Sequence, residues 1–251
     1  MAVTSYPGVA TFAAVCTSVT IAACCASCSS DNFFVDTPPT SSPSTSWSTS
    51  IKPTTESTAE ADDQLQAPRN LQSEPGSANY TIAQYIGDQH IAETPIHPGD
   101  PGAPQISVEF PSGWIPGGPG APETAYGALV YTAPEAEGLA YPPNIVAMLS
   151  KLDGNVDPEK LIEFAGGEVK NLPGFVGVFD EPASVSGNPA YRIAGIYDFE
   201  GVKAAAAQET VVISGSGGLY VLQLNATSNE PQAGTLFDGL TASVNSMDIA
   251  S

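Results

Sequence analysis

Beyond residue 28 this chain has no cysteine, and it has few basic side chains anywhere. Cys16, Cys24, Cys25 and Cys28 are all of its thiols. The remaining residues hold neither a disulfide framework nor a thiolate metal site, so they must stand on an apolar core. Lysine and arginine number 7 against 27 acidic residues, a formal charge of −20. From Gly76 onward there are 20 acidic and 5 basic residues, a balance of about −15. Phosphate backbones repel such a chain, which excludes nucleic acid as a partner. Anionic headgroups repel it as well, which excludes a polybasic mode of membrane docking. Histidine is scarce too. His90 and His97 are the only two, and their spacing selects no metal site. No cofactor and no metal is expected.

Also missing is any apolar run long enough to span a bilayer comfortably. Val9 to Cys25, VATFAAVCTSVTIAACC, has the length of a signal peptide. It lacks the usual opening charge, since no Lys or Arg precedes Lys52. It does end in Ile21-Ala22-Ala23-Cys24, the form of a lipobox. A branched aliphatic and two small residues fit the tight pockets of a peptidase, and the cysteine takes a thioether-linked diacylglycerol. Cys24 is therefore the expected lipidation site. Cys28 is the second choice, because Cys25 stands where the branched aliphatic should be. Each buried methylene of such an anchor contributes ~0.8 kcal/mol, so a multiply acylated cysteine, palmitate included, stays at the membrane.

The chain thus divides into three parts. Residues 1–23 read as a lipoprotein signal peptide, 24–77 as a linker and 78–251 as one folded domain. The linker, with its stretch TPPTSSPSTSWSTSIKPTTESTAEADD, is Ser, Thr, Pro and acid with few apolar groups. It cannot bury enough surface to offset ordering entropy and is expected to be disordered. The domain, at about 170 residues, is long enough for a core of its own.

Within the domain, Thr81 to Ile91 reads as a short helix capped by Thr81, with Ile82, Ile86 and His90 on one face. That places His90 on the core-facing side. His97 falls in the Pro/Gly-rich turn PIHPGDPGAP. Ile106 to Phe110 alternates as a half-buried strand, and Trp114 after it is either a lid over the core edge or part of a ligand mouth. YGALVY from Tyr126 and NIVAMLSK from Asn144 are continuous enough to be strands covered on both faces. Asp157-Pro158-Glu159 opens a helix with an N-cap, a proline at the first position and an acid at the positive dipole end. Pro173 should stop it. A meander comes next over Phe175–Phe179, Ala190–Phe199, Gln208–Ser214 and Leu219–Asn225, and a closing helix runs from Glu230 to about Val244. Ser216, between Gly215 and Gly217, is a hairpin turn and no nucleophile elbow. The acids are scattered, and no pair reads as general acid and base, so catalysis has no support.

The residues also carry a resemblance. Tyr80-Thr81-Ile82-Ala83, His90-Ile91, Glu93-Thr94-Pro95 and Gly99-Asp100-Pro101-Gly102 resemble the opening of the mycobacterial LpqN/LpqT lipoprotein family. Ala147 to Leu152, Gly154, Asp157-Pro158 and Gly167-Glu168 continue it, as do Thr210 to Ile213. Lys170-Asn171-Leu172-Pro173-Gly174-Phe175 and Val221-Leu222-Gln223-Leu224-Asn225-Ala226 are its most specific parts. The chain departs from the family where basic residues precede the TVVI strand: Ala204-Ala205-Ala206 and Glu209 stand there. The resemblance implies an α+β, Mog1/PsbP-like fold, an antiparallel β-sheet flanked by helices.

It further implies a cell-membrane lipoprotein, anchored by its lipid and facing the periplasmic side, in cell-envelope biogenesis. The implied ligand is an amphipathic glycolipid of the trehalose mycolate type, and the implied partner an RND-type lipid transporter. A sheet face bearing Tyr191, Tyr197, Tyr220 and Leu222 either buries an acyl chain under a helix, with Trp114 at the mouth, or simply fills the core. The alternative is an adaptor that holds no lipid and docks on other envelope or host proteins. The anchor has a direct test: mass spectrometry of the membrane fraction is expected to find an acylated amino-terminal Cys24 peptide. An unmodified, secreted chain would refute it.

Overall fold

The computed structural model describes residues 79–139 and 141–250. Cys24, Cys28, the expected signal peptide and the expected linker lie outside the described residues.

The capping pattern at Thr81 is realised. The Gln84 amide donates to Thr81 Oγ1 at 3.1 Å and the Thr81 amide to Gln84 Oε1 at 3.0 Å, a reciprocal capping box. Helix α1 (Ile82–Asp88) turns Ile82 and Tyr85 inward. It ends sooner than its sequence pattern suggests. His90 has a left-handed backbone, φ 54°, and is exposed with Nδ1 3.1 Å from the Asp88 carbonyl. The expectation of a core-facing His90 is thus corrected: once the helix stops, four-residue spacing no longer fixes a face.

Strands β1 (Ala92–Pro95), β3 (Trp114–Pro116), β4 (Gly127–Tyr131), β5 (Asn144–Asp153), β6 (Val176–Val185), β7 (Asn188–Phe199), β8 (Val202–Gly215) and β9 (Gly218–Asn229) form one sheet. Its order is β3-β4-β5-β9-β8-β7-β6, with β1 also on β5, and every pairing is antiparallel. A ribbon of β2 (Gln105–Ser107) and β10 (Asp248–Ala250) lies apart. Helices α1, α2 (Pro158–Phe164) and α3 (Gly167–Lys170) belong with one face of the sheet, and α4 (Ala233–Asn245) packs on the other. The expected α+β class and antiparallel sheet with flanking helices are what the structure shows.

Several elements differ from their sequence reading, each for a physical reason. The helix opened by Asp157, whose Oδ1 accepts from the Glu159 amide at 2.9 Å, breaks at Ala165–Gly166. It restarts at Gly167, where a Cβ would sit 2.2 Å from the Tyr80 carbonyl oxygen. Strand β8 begins at Val202 rather than Gln208. Ala204 to Ala207 favour helix intrinsically, yet both edges of this strand are paired and both faces covered, so pairing and burial override propensity. Strand β6 runs on through Asp180-Glu181-Pro182, which an edge position tolerates. The β6–β7 and β7–β8 turns each have two residues of positive φ, Ser186-Gly187 and Glu200-Gly201, as tight type I′ hairpins require.

The larger core lies under α4, where Leu236 and Leu240 meet Ala190, Ala194, Ala205, Ala207, Val211 and Ile213. Trp114 is 5 % exposed and belongs to this core. It packs on bare helix backbone: a Cβ on Gly239 would stand 2.3 Å from its ring. A substitution Gly239→Ala therefore sets a clash against a helix-propensity gain, with an expected net loss of roughly 1–2 kcal/mol. Gly234→Ala in the same helix meets nothing within 4 Å and is expected to gain up to ~1 kcal/mol. Urea unfolding of the two variants measures both. Equal stability for the pair would contradict the close approach.

Candidate functional site

Among the described residues a cleft opens between the carboxyl-terminal half of α4 and strands β6 to β8. Phe179, Glu181, Arg192, Glu209, Leu240, Thr241, Val244 and Asn245 line about 200 Å³ of it. Strand register builds its floor. Glu181 pairs with Arg192, and Arg192 with Glu209. Three charged side chains from three adjacent strands therefore stand in a row on one face. Helix α4 supplies the roof, with Leu240 and Val244 apolar and Thr241 and Asn245 polar.

Charge within the row is unevenly partnered. Arg192 donates to Glu181 Oε1 from Nη2 at 2.7 Å and from Nε at 3.0 Å. That pair is half-exposed, at 46 % and 51 % for the two side chains, and the guanidinium lies 6.0 Å from the Phe179 ring centroid. Glu209 is different. It is 4 % exposed, and its Oε1 has no hydrogen-bond partner. Burial pushes its carboxyl up to about 7, with Arg192 pulling the other way. A buried, underbonded, cleft-lining carboxylate is the combination that marks binding and catalytic sites.

Glu168 on α3 is likewise raised to about 7 by burial, but hydrogen bonds from the Ala83 amide, Gln208 and Gln223 oppose the rise. It lies on the opposite side of the sheet from Glu209, among groups that join α1 and α3 to the strands. Its Gln223 contact spans 3.5 Å.

The five ligand residues expected from sequence do not meet. Tyr220 pairs with Ile213 and Leu222 with Val211, in the core under α4. Tyr191 pairs with Thr210 and Tyr197 with Ala204, on the face toward α1 to α3. One face bearing all four is thus corrected. Alternation along each strand was right, but the cross-strand register puts the two pairs on opposite faces. Trp114 and Tyr220 are buried with Leu222, and the Tyr220 hydroxyl donates to the Gly102 carbonyl at 3.0 Å. Tyr197 is buried, which pushes its phenol up to about 12. Tyr191 is half-buried, and its hydroxyl donates to Asp180 Oδ1. None of the five lines the cleft. Sequence reasoning missed Glu209 as a site, although a signal existed. Among Ala205, Ala207, Val211 and Ile213 on the same side of β8 it is the single acid.

The raised carboxyl has a consequence for stability. An unfolded glutamate titrates near 4.5, and folded Glu209 near 7. Between those values the folded chain keeps a proton that the unfolded chain has lost, so this site's contribution is full below the window and declines as pH rises through it. The shift corresponds to about 3 kcal/mol. Glu209→Gln is expected to raise Tm at about pH 8 by on the order of 5 °C and to leave it little changed at about pH 5. Calorimetry at the two pH values tests this, and a variant that tracks the parent at both would overturn it.

Comparison with known proteins agrees with the fold. A family model described as "Probable lipoprotein LpqN" matches residues 78–250. Lipoprotein LpqN of Mycobacterium tuberculosis is 48% identical over 163 residues, 64% of this chain and 69% of that protein. The crystal structure of M. tuberculosis LpqN, described as involved in cell envelope biogenesis, aligns with 43% identity and a TM-score of 0.63. That alignment covers 69% of this chain and 99% of the other. Cyanobacterial PsbP from Synechocystis, 10% identical, aligns over 63% of this chain and 92% of its own at a TM-score of 0.39, too distant a likeness to argue from. The LpqN relatives are named as lipoproteins and not as enzymes. With most of its length matched by the family model and by these relatives, the chain belongs to the LpqN lipoprotein family.

Proposed function

We propose that this protein is a lipid-anchored lipoprotein of the extracytoplasmic side that holds one end of an amphipathic, trehalose-based glycolipid and assists envelope lipid transport beside an RND-type transporter. The observation that carries the reading is the amphipathic lining of the α4 cleft. Phe179, Leu240 and Val244 offer apolar surface beside the polar groups of Arg192, Glu209, Thr241 and Asn245. Aromatic and aliphatic walls with a few convergent polar groups are what a site for such a ligand needs. The description of the M. tuberculosis relative as involved in cell envelope biogenesis supports the setting. Among the described residues no helix is long and apolar enough to cross a membrane, so the anchor in this reading is the acylated cysteine.

Size limits what enters. At about 200 Å³ the cleft is smaller than the ~300–1,000 Å³ of sites that engulf a drug-sized ligand. It has room for roughly six or seven waters at ~30 Å³ each, the scale of one hexose ring. The remainder of a glycolipid lies outside, where Val176 extends exposed apolar surface along β6 beyond Phe179.

A second reading rests on a different observation. Phe199 and Val202, cross-strand partners at the β7–β8 turn, are large and exposed apolar residues on one face, and such a pair suits an adaptor that docks on another envelope or host protein. Native mass spectrometry of the chain purified from its own host separates the two. Retained glycolipid is expected in the parent and is expected to be lost in Thr241→Trp, which fills the cleft from an exposed helix position. A parent free of lipid, or a variant that retains it equally, would count against the cleft.

A further inference from the structure

We propose that Glu209 and the acceptors around it select the head of the ligand: an uncharged group that donates hydrogen bonds, as a sugar hydroxyl does, is taken, and an anionic phosphate or sulfate head is refused. This rests on the reading of the α4 cleft as a ligand site and adds the rule by which it discriminates.

Three features point the same way. First, Glu209 Oε1 is buried without a partner in a cleft-lining residue. A hydroxyl donated to it satisfies an atom whose desolvation is already incurred, whereas an anion adds repulsion to it in a water-poor site. Second, the cation beside it is already engaged. Arg192 gives two hydrogen bonds to Glu181, so an anion must compete with a carboxylate for the guanidinium. Third, the roof is the carboxyl-terminal half of a 13-residue helix with no basic residue in its last turn. That end of the helix carries the negative end of its dipole. Two carboxylates below and the negative end of a helix dipole above disfavour an anion here.

Burial raises the Glu209 carboxyl and Arg192 opposes the rise. Glu181 on β6 and Arg192 on β7 are the charged neighbours in the cleft, and α4 contributes Leu240, Thr241, Val244 and Asn245, none of which titrates. Across β9 its partner is Leu224. Arg192 is also the reason a neutral donor is preferred to a cation, since its positive charge occupies the neighbouring position on the floor. The selection strengthens as Glu209 ionises.

The test compares three soluble amphiphiles with the same tail on the full chain, below their micelle concentrations: octyl glucoside, octyl sulfate and octyltrimethylammonium. The heads are neutral, permanently anionic and permanently cationic, so only the protein titrates. Calorimetric titration is expected to give octyl glucoside at least about a tenfold advantage over octyl sulfate at about pH 8.5, the scale of one close charge contact, and a smaller advantage at about pH 5.5. In Glu209→Gln, expected to fold at least as stably as the parent, the advantage is expected to shrink to about threefold or less at both pH values. Equal binding of glucoside and sulfate by the parent at the higher pH, or an unchanged preference in the variant, overturns the rule while leaving the cleft a lipid site. Tightest binding of the ammonium head overturns it in favour of a cation site. Binding of none of the three overturns the cleft as a ligand site, and the rule with it.

Discussion

Helix α4 can approach the sheet only as closely as the side chains beneath it allow. Ala190, Ala194, Ala205, Ala207 and Ala226 form much of that floor, all fully or almost fully buried. Ala194, Ala207 and Ala226 are consecutive partners across three strands, a row of single methyl groups. Gly239 completes the approach by offering bare backbone to Trp114. Two residues along the strands the row changes to Arg192, Glu209 and Leu224, long side chains where methyls had been. The helix is set at the spacing of the alanines, and the cleft is the space left where it passes over the longer row. Shape here is a result of packing density, since a well-filled interior cannot close one end without disturbing the other.

Much of the fold could be read from sequence because local signals and tertiary demands coincide. Thr81 and Asp157 cap the helices they announce, Pro158 sits at a helix start, and Gly201 takes a positive φ in the β7–β8 turn. Reading failed where context decided. Ala204 to Ala207 carry no strand signal, and only pairing on both sides makes them strand. Asp180-Glu181-Pro182 looks like a loop and is an edge strand, which an edge position alone permits. The ribbon strand β10 is three residues long and exists through its partner β2, so nothing within it could announce it.

The candidate site was less legible, and the reason is geometric. Aromatic residues attract attention as ligand contacts, but Trp114, Tyr197 and Tyr220 are all buried and fill apolar clusters on the two faces of the sheet. Which face a residue occupies relative to its own strand is set by alternation. Which face it shares with a residue two strands away depends on register, and a slip of one position reverses every answer. Tyr191 and Tyr220 ended on opposite faces for that reason. Glu209 was the readable exception. A single acid on a face of alanine, valine and isoleucine must either find a partner, lose its charge or serve a purpose.

Two glutamates on this sheet have the same perturbation and invite the same inference, yet their surroundings separate them. Both are raised from 4.5 to about 7 by burial. The Ala83 backbone, Gln208 and Gln223 all pull the Glu168 carboxyl down against its burial, and Gln223 Nε2 donates to its Oε2 at 3.5 Å. Part of its cost of burial is offset within the fold by these groups. Glu209 has only the field of an arginine committed to another acid, and one of its oxygens bonds to nothing. Its cost is not offset within the fold. A raised carboxyl alone is therefore a poor guide to function, because structural and binding groups both show it. The informative quantity is the bonding capacity left over, and on that measure the binding role falls to β8 under α4 and not to α3.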